Sequence, residues 1–265
     1  MMSHKICCTV LLLLCLAGCQ AALPGTGAEI AVTPPETNTA QVTRTPSGSE
    51  GAPPAQPMAT ASLADYAFPE HIDPALRYLF YLHGKIIEDQ GLPAVSPDYG
   101  EYEYGAILQK LSDHGFRVIS EPRPQDTDGW EYAQRVAEQV SELLDAGVPA
   151  ENISVVGASK GAGIAIFVSN LMKNEKINYV PMAICAPDTV AELIQSQVAL
   201  YGNVLSIYDS TDQFAGSCAE LFEYSQGKGL TRHEEIVLQV GTGHGILFQP
   251  LDEWVMPVVE WAGGQ

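Results

Sequence analysis

Ile153-Ser154-Val155-Val156-Gly157-Ala158-Ser159-Lys160-Gly161-Ala162-Gly163 is the stretch on which the fold of this chain turns. Three of its first four residues are β-branched and apolar, as in a strand buried on both faces. From Gly161 to Met172 the composition is that of an apolar helix. Between them stands G-x-S-x-G, a strand-to-helix turn so tight that its flanking positions must lack bulk. Gly157 and Gly161 meet that demand. The turn presents Ser159 above a sheet at a helix N-terminus, where the backbone dipole favours developing negative charge. Alone, the pattern also describes a glycine-rich turn capped by a serine, so its setting has to carry the weight. Other glycine motifs do not fit. Ser-Lys-Gly is not the Gly-Lys-Ser/Thr of a phosphate loop, and the dinucleotide pattern G-x-G-x-x-G is absent.

Outward from this turn, short apolar runs alternate with longer amphipathic ones. Tyr78 to Leu82, Phe116 to Ile119, Tyr179 to Cys185, Val204 to Tyr208 and Glu235 to Val240 read as further strands. Tyr102 to His114, Trp130 to Leu144 and Trp254 to Trp261 read as helices, the last interrupted by Pro257. The alternation predicts an α/β fold: a doubly wound, mostly parallel sheet with helices on both faces. Ligands in such sheets bind beyond the carboxyl ends of the strands. The polar residues just after each strand therefore carry the functional information.

A serine is a weak nucleophile and needs a base, which needs an orienting acid. Gly241-Thr242-Gly243-His244-Gly245 follows the last strand, so His244 stands where a base would. His4, His71, His114 and His233 lie in the leader, before the first strand, at a helix end and ahead of a strand. After the strand Val204 to Tyr208 come Asp209 and Asp212. Asp212, one turn further out, is the preferred acid, and Asp209 is the alternative. The first strand ends in Leu82-His83-Gly84-Lys85-Ile86.

Taken in order, His83-Gly84, the Ser159 turn, Asp212 and His244 resemble the α/β-hydrolase superfamily, its serine esterases in particular, over about Leu76 to Trp261. The resemblance implies oxyanion donors at the backbone N–H groups of Lys85 (Ile86 being the alternative) and Lys160. His83 then braces the loop. Two departures stand out. The stretch from Cys185 to Gly202 is too short for a large lid, and little chain is left for the family's first two strands. Both point to a minimal, open site ill suited to long acyl chains. Lys85, Glu88, Asp89, the run Asp98 to Tyr104 and Glu121-Pro122-Arg123-Pro124 read as a solvated rim. Alternatively, Arg123 pairs a carboxylate or phosphate of the substrate.

Residues 1–18 read as an export signal: Lys5, then an apolar run too short to span a bilayer. It ends in Leu16-Ala17-Gly18-Cys19, which resembles the lipobox of bacterial lipoproteins and implies acylation (palmitate among the chains) of Cys19. Several chains would make the anchor stable. With Gln20 next, the implied address in a Gram-negative cell is the periplasmic side of the outer membrane. Residues 19–62 form a Pro-, Thr- and Ala-rich segment, as in Thr33-Pro34-Pro35 and Ala52-Pro53-Pro54, which reads as a disordered tether. Residues 63–265 form the folded domain.

The 265 residues are 46% hydrophobic and 17% charged, enough for one sizeable core. A net charge of −19 argues against nucleic acid as a partner. Of the six cysteines, Cys7, Cys8 and Cys15 fall in the leader and Cys19 directly follows it, so Cys185 and Cys218 remain for the folded part. They have no metal-ligand spacing, so no metal is expected. Both follow strands at one sheet edge, where an oxidising envelope permits a disulfide; a free buried pair is the alternative. The sum predicts a serine hydrolase without cofactor, acting on a small-molecule or envelope ester and held to a membrane by its lipid. The alternatives are an acyltransferase or amidase with the same triad, or a non-catalytic lipoprotein.

Overall fold

The computed structural model describes residues 62–263. The export signal, Cys19 and nearly all of the proposed tether lie outside the described residues. Ser62 caps a short 3-10 turn, Leu63–Tyr66, and the domain follows.

In chain order the elements are β1 (Arg77–Leu82), α1 (Lys85–Gln90), a small hairpin β2 (Val95–Ser96) and β3 (Gly100–Glu101), α2 (Tyr104–Asp113), β4 (Phe116–Ile119), α3 (Gly129–Asp145), β5 (Ile153–Ala158) and α4 (Lys160–Met172). β6 (Asn178–Met182), α5 (Pro187–Gln195), β7 (Gly202–Asp209), α6 (Ala219–Ser225), β8 (Leu230–Leu238) and α7 (Asp252–Ala262) complete them. Six strands form one sheet in the order β4-β1-β5-β6-β7-β8, and every pairing in it is parallel. All six carboxyl ends therefore lie on one edge.

Period-two alternation splits the core into two layers. Leu79, Tyr81, Val156, Val180 and Leu205 face one side, packed with Ile107, Leu108 and Leu111 of α2 and Trp254 and Val258 of α7. Tyr78, Phe80, Leu82, Val155 and Val204 face the other, with Val136 and Val140 of α3 and Ile164 and Val168 of α4. This two-sided burial explains why β5 is apolar without a break, all six of its residues being buried.

Several boundaries differ from the sequence expectation. β6 stops at Met182 rather than Cys185, because Ala183 turns into the left-handed region (φ 54°) while its N–H reaches the Ile207 carbonyl at 2.8 Å. β8 begins at Leu230, five residues earlier than Glu235, because the backbone pairs with β7 from Gly202↔Leu230 onward. Thr231 to Glu234 are exposed there and carry no apolar signal. α7 runs through Pro257; the carbonyl that loses its partner belongs to Glu253, which is exposed to solvent. Cys185 and Cys218 are joined in a disulfide, with Cα atoms 5.1 Å apart. No described helix is long and apolar enough to cross a membrane.

The start of α4 fits closely against the ends of β1 and β5. A Cβ on Gly161 would lie 1.9 Å from the Leu82 carbonyl oxygen, and one on Gly157 2.2 Å from that of Gly161. Gly163, two residues on, would meet only the Ile184 side chain at 3.9 Å. Gly161→Ala should therefore lower stability in urea by about 3 kcal/mol or more, whereas Gly163→Ala should gain up to about 1 kcal/mol of helix propensity. Equal effects would mean that the close approach is absent.

Candidate active site

Ser159 links β5 to α4 with φ 53° and ψ −117°, a conformation that disfavours side chains and costs about 1–3 kcal/mol. Three backbone bonds hold it there. Its N–H donates to the Met182 carbonyl at 2.9 Å, and its own carbonyl accepts from Ala162 at 2.8 Å and Gly163 at 3.2 Å. The strand and helix on either side thus fix the serine's direction.

Past β8 the chain enters a 3-10 turn, Gly243–Leu247, that carries His244. The Nδ1 of His244 lies 2.8 Å from Oδ2 of Asp212. The other oxygen of Asp212 accepts the Phe214 N–H at 2.8 Å. A carboxylate can only accept, so Nδ1 is the donor, and in the neutral imidazole Nε2 is then the acceptor. The Phe214 ring stands edge-on to the imidazole, centroids 5.6 Å apart, and is 61% exposed.

Asp209 occupies a different position. It is fully buried, and its carboxylate accepts from the Thr211 N–H (2.9 Å) and hydroxyl (2.5 Å), and from the N–H groups of Val240 (2.8 Å), Gly241 (3.0 Å) and Gly243 (3.3 Å). It pins the segment that leads into His244. Burial works to raise its pKa, yet these donors outweigh that and hold the carboxyl below its ordinary value.

A second helix N-terminus meets Ser159. Gly84 precedes α1, and a Cβ there would sit 3.7 Å from that of Ser159. Lys85 and Ile86 are therefore helical rather than loop residues, and their N–H groups, like that of Lys160 opening α4, belong to first turns that lack intrahelical acceptors. His83 is fully buried. The Arg123 N–H donates to its Nε2 at 2.8 Å, which leaves Nδ1 to donate to the Gly84 carbonyl at 2.8 Å. Burial first, then the neighbouring Arg123 guanidinium, pushes its pKa down to about 3. The ring is a neutral brace.

Arg123 is not a rim residue. Its side chain is buried, and Nε donates to Glu88 Oε1 at 2.6 Å while Nη2 donates to the His83 carbonyl. Lys160 donates from Nζ to the other oxygen of Glu88 and, at 2.6 Å, to the Thr127 carbonyl. Arg123 therefore does not face a substrate anion as the sequence suggested, because Glu88 already takes the guanidinium. Glu88 is likewise buried, and so are Tyr102 and Tyr104, which pack in the core, whereas Lys85, Asp89 and Asp98 are exposed as a rim requires. Among the described residues, no group of three or more His, Cys, Asp or Glu side chains is placed to hold a metal.

No family model matches this sequence, and no curated protein does. Solved structures resemble the fold. SOBER1 of Arabidopsis thaliana aligns over 71% of this chain and 98% of its own, at 14% identity and a TM-score of 0.50. The chain has the α/β-hydrolase fold. Structures described as an arylesterase (14% identity, 71% of this chain and 75% of that one, TM-score 0.49) and as esterase PE8 (16%, 71% and 94%, 0.46) are similar more distantly.

Within this fold the sequence named the residues that now stand at the sheet's carboxyl edge, but it missed the buried Glu88–Arg123–Lys160 cluster. The one available sign was a lysine directly after the serine in an otherwise apolar helix. The His83 brace has a consequence for stability. Below its ordinary pKa of 6.5, the unfolded chain binds a proton that the folded ring refuses until about pH 3. Stability is therefore complete above about pH 6.5 and falls with pH, by about 1.4 kcal/mol per pH unit. Urea titrations at pH 6.5 and 5.0 read this above the carboxylate range, where Asp209 adds its own loss at lower pH. A flat profile would mean that His83 is not buried as the neutral ring.

Proposed function

We propose that this protein is an envelope-anchored serine hydrolase that cleaves a carboxylic ester through an acyl-enzyme on Ser159. The observation that carries this reading is the Asp212–His244 hydrogen bond at the sheet edge where the strained turn holds Ser159. With Nδ1 tied to Asp212, Nε2 of His244 is the base that takes the Ser159 proton as Oγ attacks the carbonyl carbon. The oxyanion that forms is held by the N–H groups of Lys160 and Lys85, with Ile86 as the alternative to the latter. His244 then returns the proton to the departing alkoxide, and the acyl-enzyme remains. Water, deprotonated by the same nitrogen, attacks it and releases the acid and free Ser159. Asp209 serves as the structural acid of the His244 loop.

Only α5, nine residues long, and its short flanks lie between β6 and β7, and Phe214 beside His244 is largely exposed. Such a mouth favours small esters, soluble or of the envelope, over long acyl chains. An acyltransferase or amidase would use the same triad with another acceptor or bond, and a non-catalytic lipoprotein would use the fold as scaffold. Fluorophosphonate labelling of the full chain separates the enzymatic readings from the scaffold. The wild type should label stoichiometrically and Ser159→Ala not at all; a folded, unlabelled wild type would sink the enzyme reading. Ester turnover in competing alcohols then separates hydrolysis from transfer.

The two acids should part in kinetics. Asp212→Asn should lower kcat by about 10⁴-fold with a normal melting curve. Asp209→Asn should lower the melting temperature first. If Asp209→Asn abolishes turnover in a stable protein while Asp212→Asn does not, the assignment is reversed.

We further propose that Cys19 carries the lipid that anchors the enzyme to a membrane, on the resemblance of Leu16-Ala17-Gly18-Cys19 to a lipobox. In cells fed labelled palmitate, the wild type should take up label and fractionate with membranes. Cys19→Ser should do neither, and label retained in that variant would refute the site.

A further inference from the structure

Three segments meet beside Ser159: the turn from β1 into α1, the loop between β4 and α3, and the first turn of α4. A single carboxylate ties them together. Glu88 of α1, its side chain 1% exposed, receives Arg123 on one oxygen and Lys160 on the other. Arg123 passes the connection to His83 twice, through the ring and through the carbonyl. Lys160 passes it to the Thr127 carbonyl.

Stability alone does not explain this arrangement. Charges taken out of water are costly, and apolar side chains of like volume often serve a fold as well or better. Arg123 even leaves Nη1 buried with no hydrogen-bond partner. What the cluster does supply is geometry. Glu88 lies on the first turn of the helix that opens with Lys85, and Lys160 directly follows Ser159. The two backbone donors of the proposed oxyanion site thus sit on separate elements, and Glu88 is the side chain that spans them. Donors act only at the position where charge develops, and a displacement of about 1 Å can cost roughly 10²-fold in rate.

We propose that Glu88, through Lys160 and Arg123, is a positioning residue that fixes the spacing between the Lys85 and Lys160 amides. The inference rests on the hydrolase reading given above. It also assigns the Lys160 side chain a task separate from that of its backbone. The ammonium holds α4 to α1 and need never touch substrate.

The test uses the full chain in detergent, p-nitrophenyl acetate as substrate and a trifluoromethyl ketone as mimic of the tetrahedral oxyanion. Lys160→Met leaves the Glu88–Arg123 pair in place, so it should fold, as a melting curve checks. Its kcat should fall about tenfold to 10²-fold with KM within about threefold, and ketone affinity should fall by the same factor as kcat/KM. Lys160→Arg, which can still reach Glu88, should recover most of the loss. Glu88→Gln should lose at least as much where it folds, and where it does not, the Lys160 pair decides. Wild-type kcat and ketone affinity in Lys160→Met would overturn the inference and leave the hydrolase reading standing. A loss confined to KM, or no recovery in Lys160→Arg, would overturn it as well. A wild type that turns over no ester and takes no fluorophosphonate would end both.

Discussion

The start of α4 approaches the ends of β1 and β5 so closely that no Cβ can stand at Gly157 or Gly161, and the rest of the sheet edge is arranged around that approach. Because the helix begins against the strand ends, the intervening residue must turn with positive φ, and that residue is Ser159. The strain is real, since a serine gains nothing locally from this conformation. It persists because β6 receives the serine's N–H and α4 bonds to its carbonyl, so relaxing the turn would break both. The same approach brings the His83-Gly84 turn onto the first turn of α4. One steric fact thus sets the direction of the serine, the start of its helix and the nearness of a second helix N-terminus.

Electrostatics then divides the carboxylates among tasks by burial and donor count. Asp209 is saturated with five donors, so its charge is spent on holding Thr211 and the Val240 to Gly243 segment. Asp212, next to it on the same turn, keeps one oxygen for His244. Glu88 is shared between two cations instead of many amides, which links elements rather than stiffening one loop. Three acids at one sheet edge thus have separate mechanical roles, and each role follows from which donors the backbone places around them.

How far the sequence revealed this depended on whether a feature was periodic or merely local. β1, β4, β5, α2, α3 and α4 carry apolar patterns long enough to mark their ends in the sequence to within two residues. α1, α5, α6 and the β2–β3 hairpin are short, and α1 begins where the resemblance suggested a loop. The upstream half of β8 is held by backbone pairing under exposed side chains, so hydropathy could not mark it. Motif order pointed to Ser159, Asp212 and His244, yet choosing between Asp209 and Asp212 required knowing which loop amides each one meets. The burial of Arg123 is hidden for a related reason. An arginine between two prolines reads as surface, and nothing in the residues nearby tells that a glutamate 35 positions earlier is buried against it.

The buried Arg123 reflects a general feature of the site. In a sheet with every strand parallel, residues far apart in sequence are brought to one edge by topology alone, while their contacts depend on loops of no regular pattern. The short elements that carry the proposed site can still be placed accurately if a buried charge cluster replaces the missing loop packing. Here the turn after β1, the loop after β4 and the turn after β5 have few apolar residues with which to lock together. A buried ion cluster is directional where apolar packing is not, since each bond fixes a distance and an angle. A minimal domain with little chain over its sheet edge thus gains from charged groups inside it, even where an apolar core would be as stable.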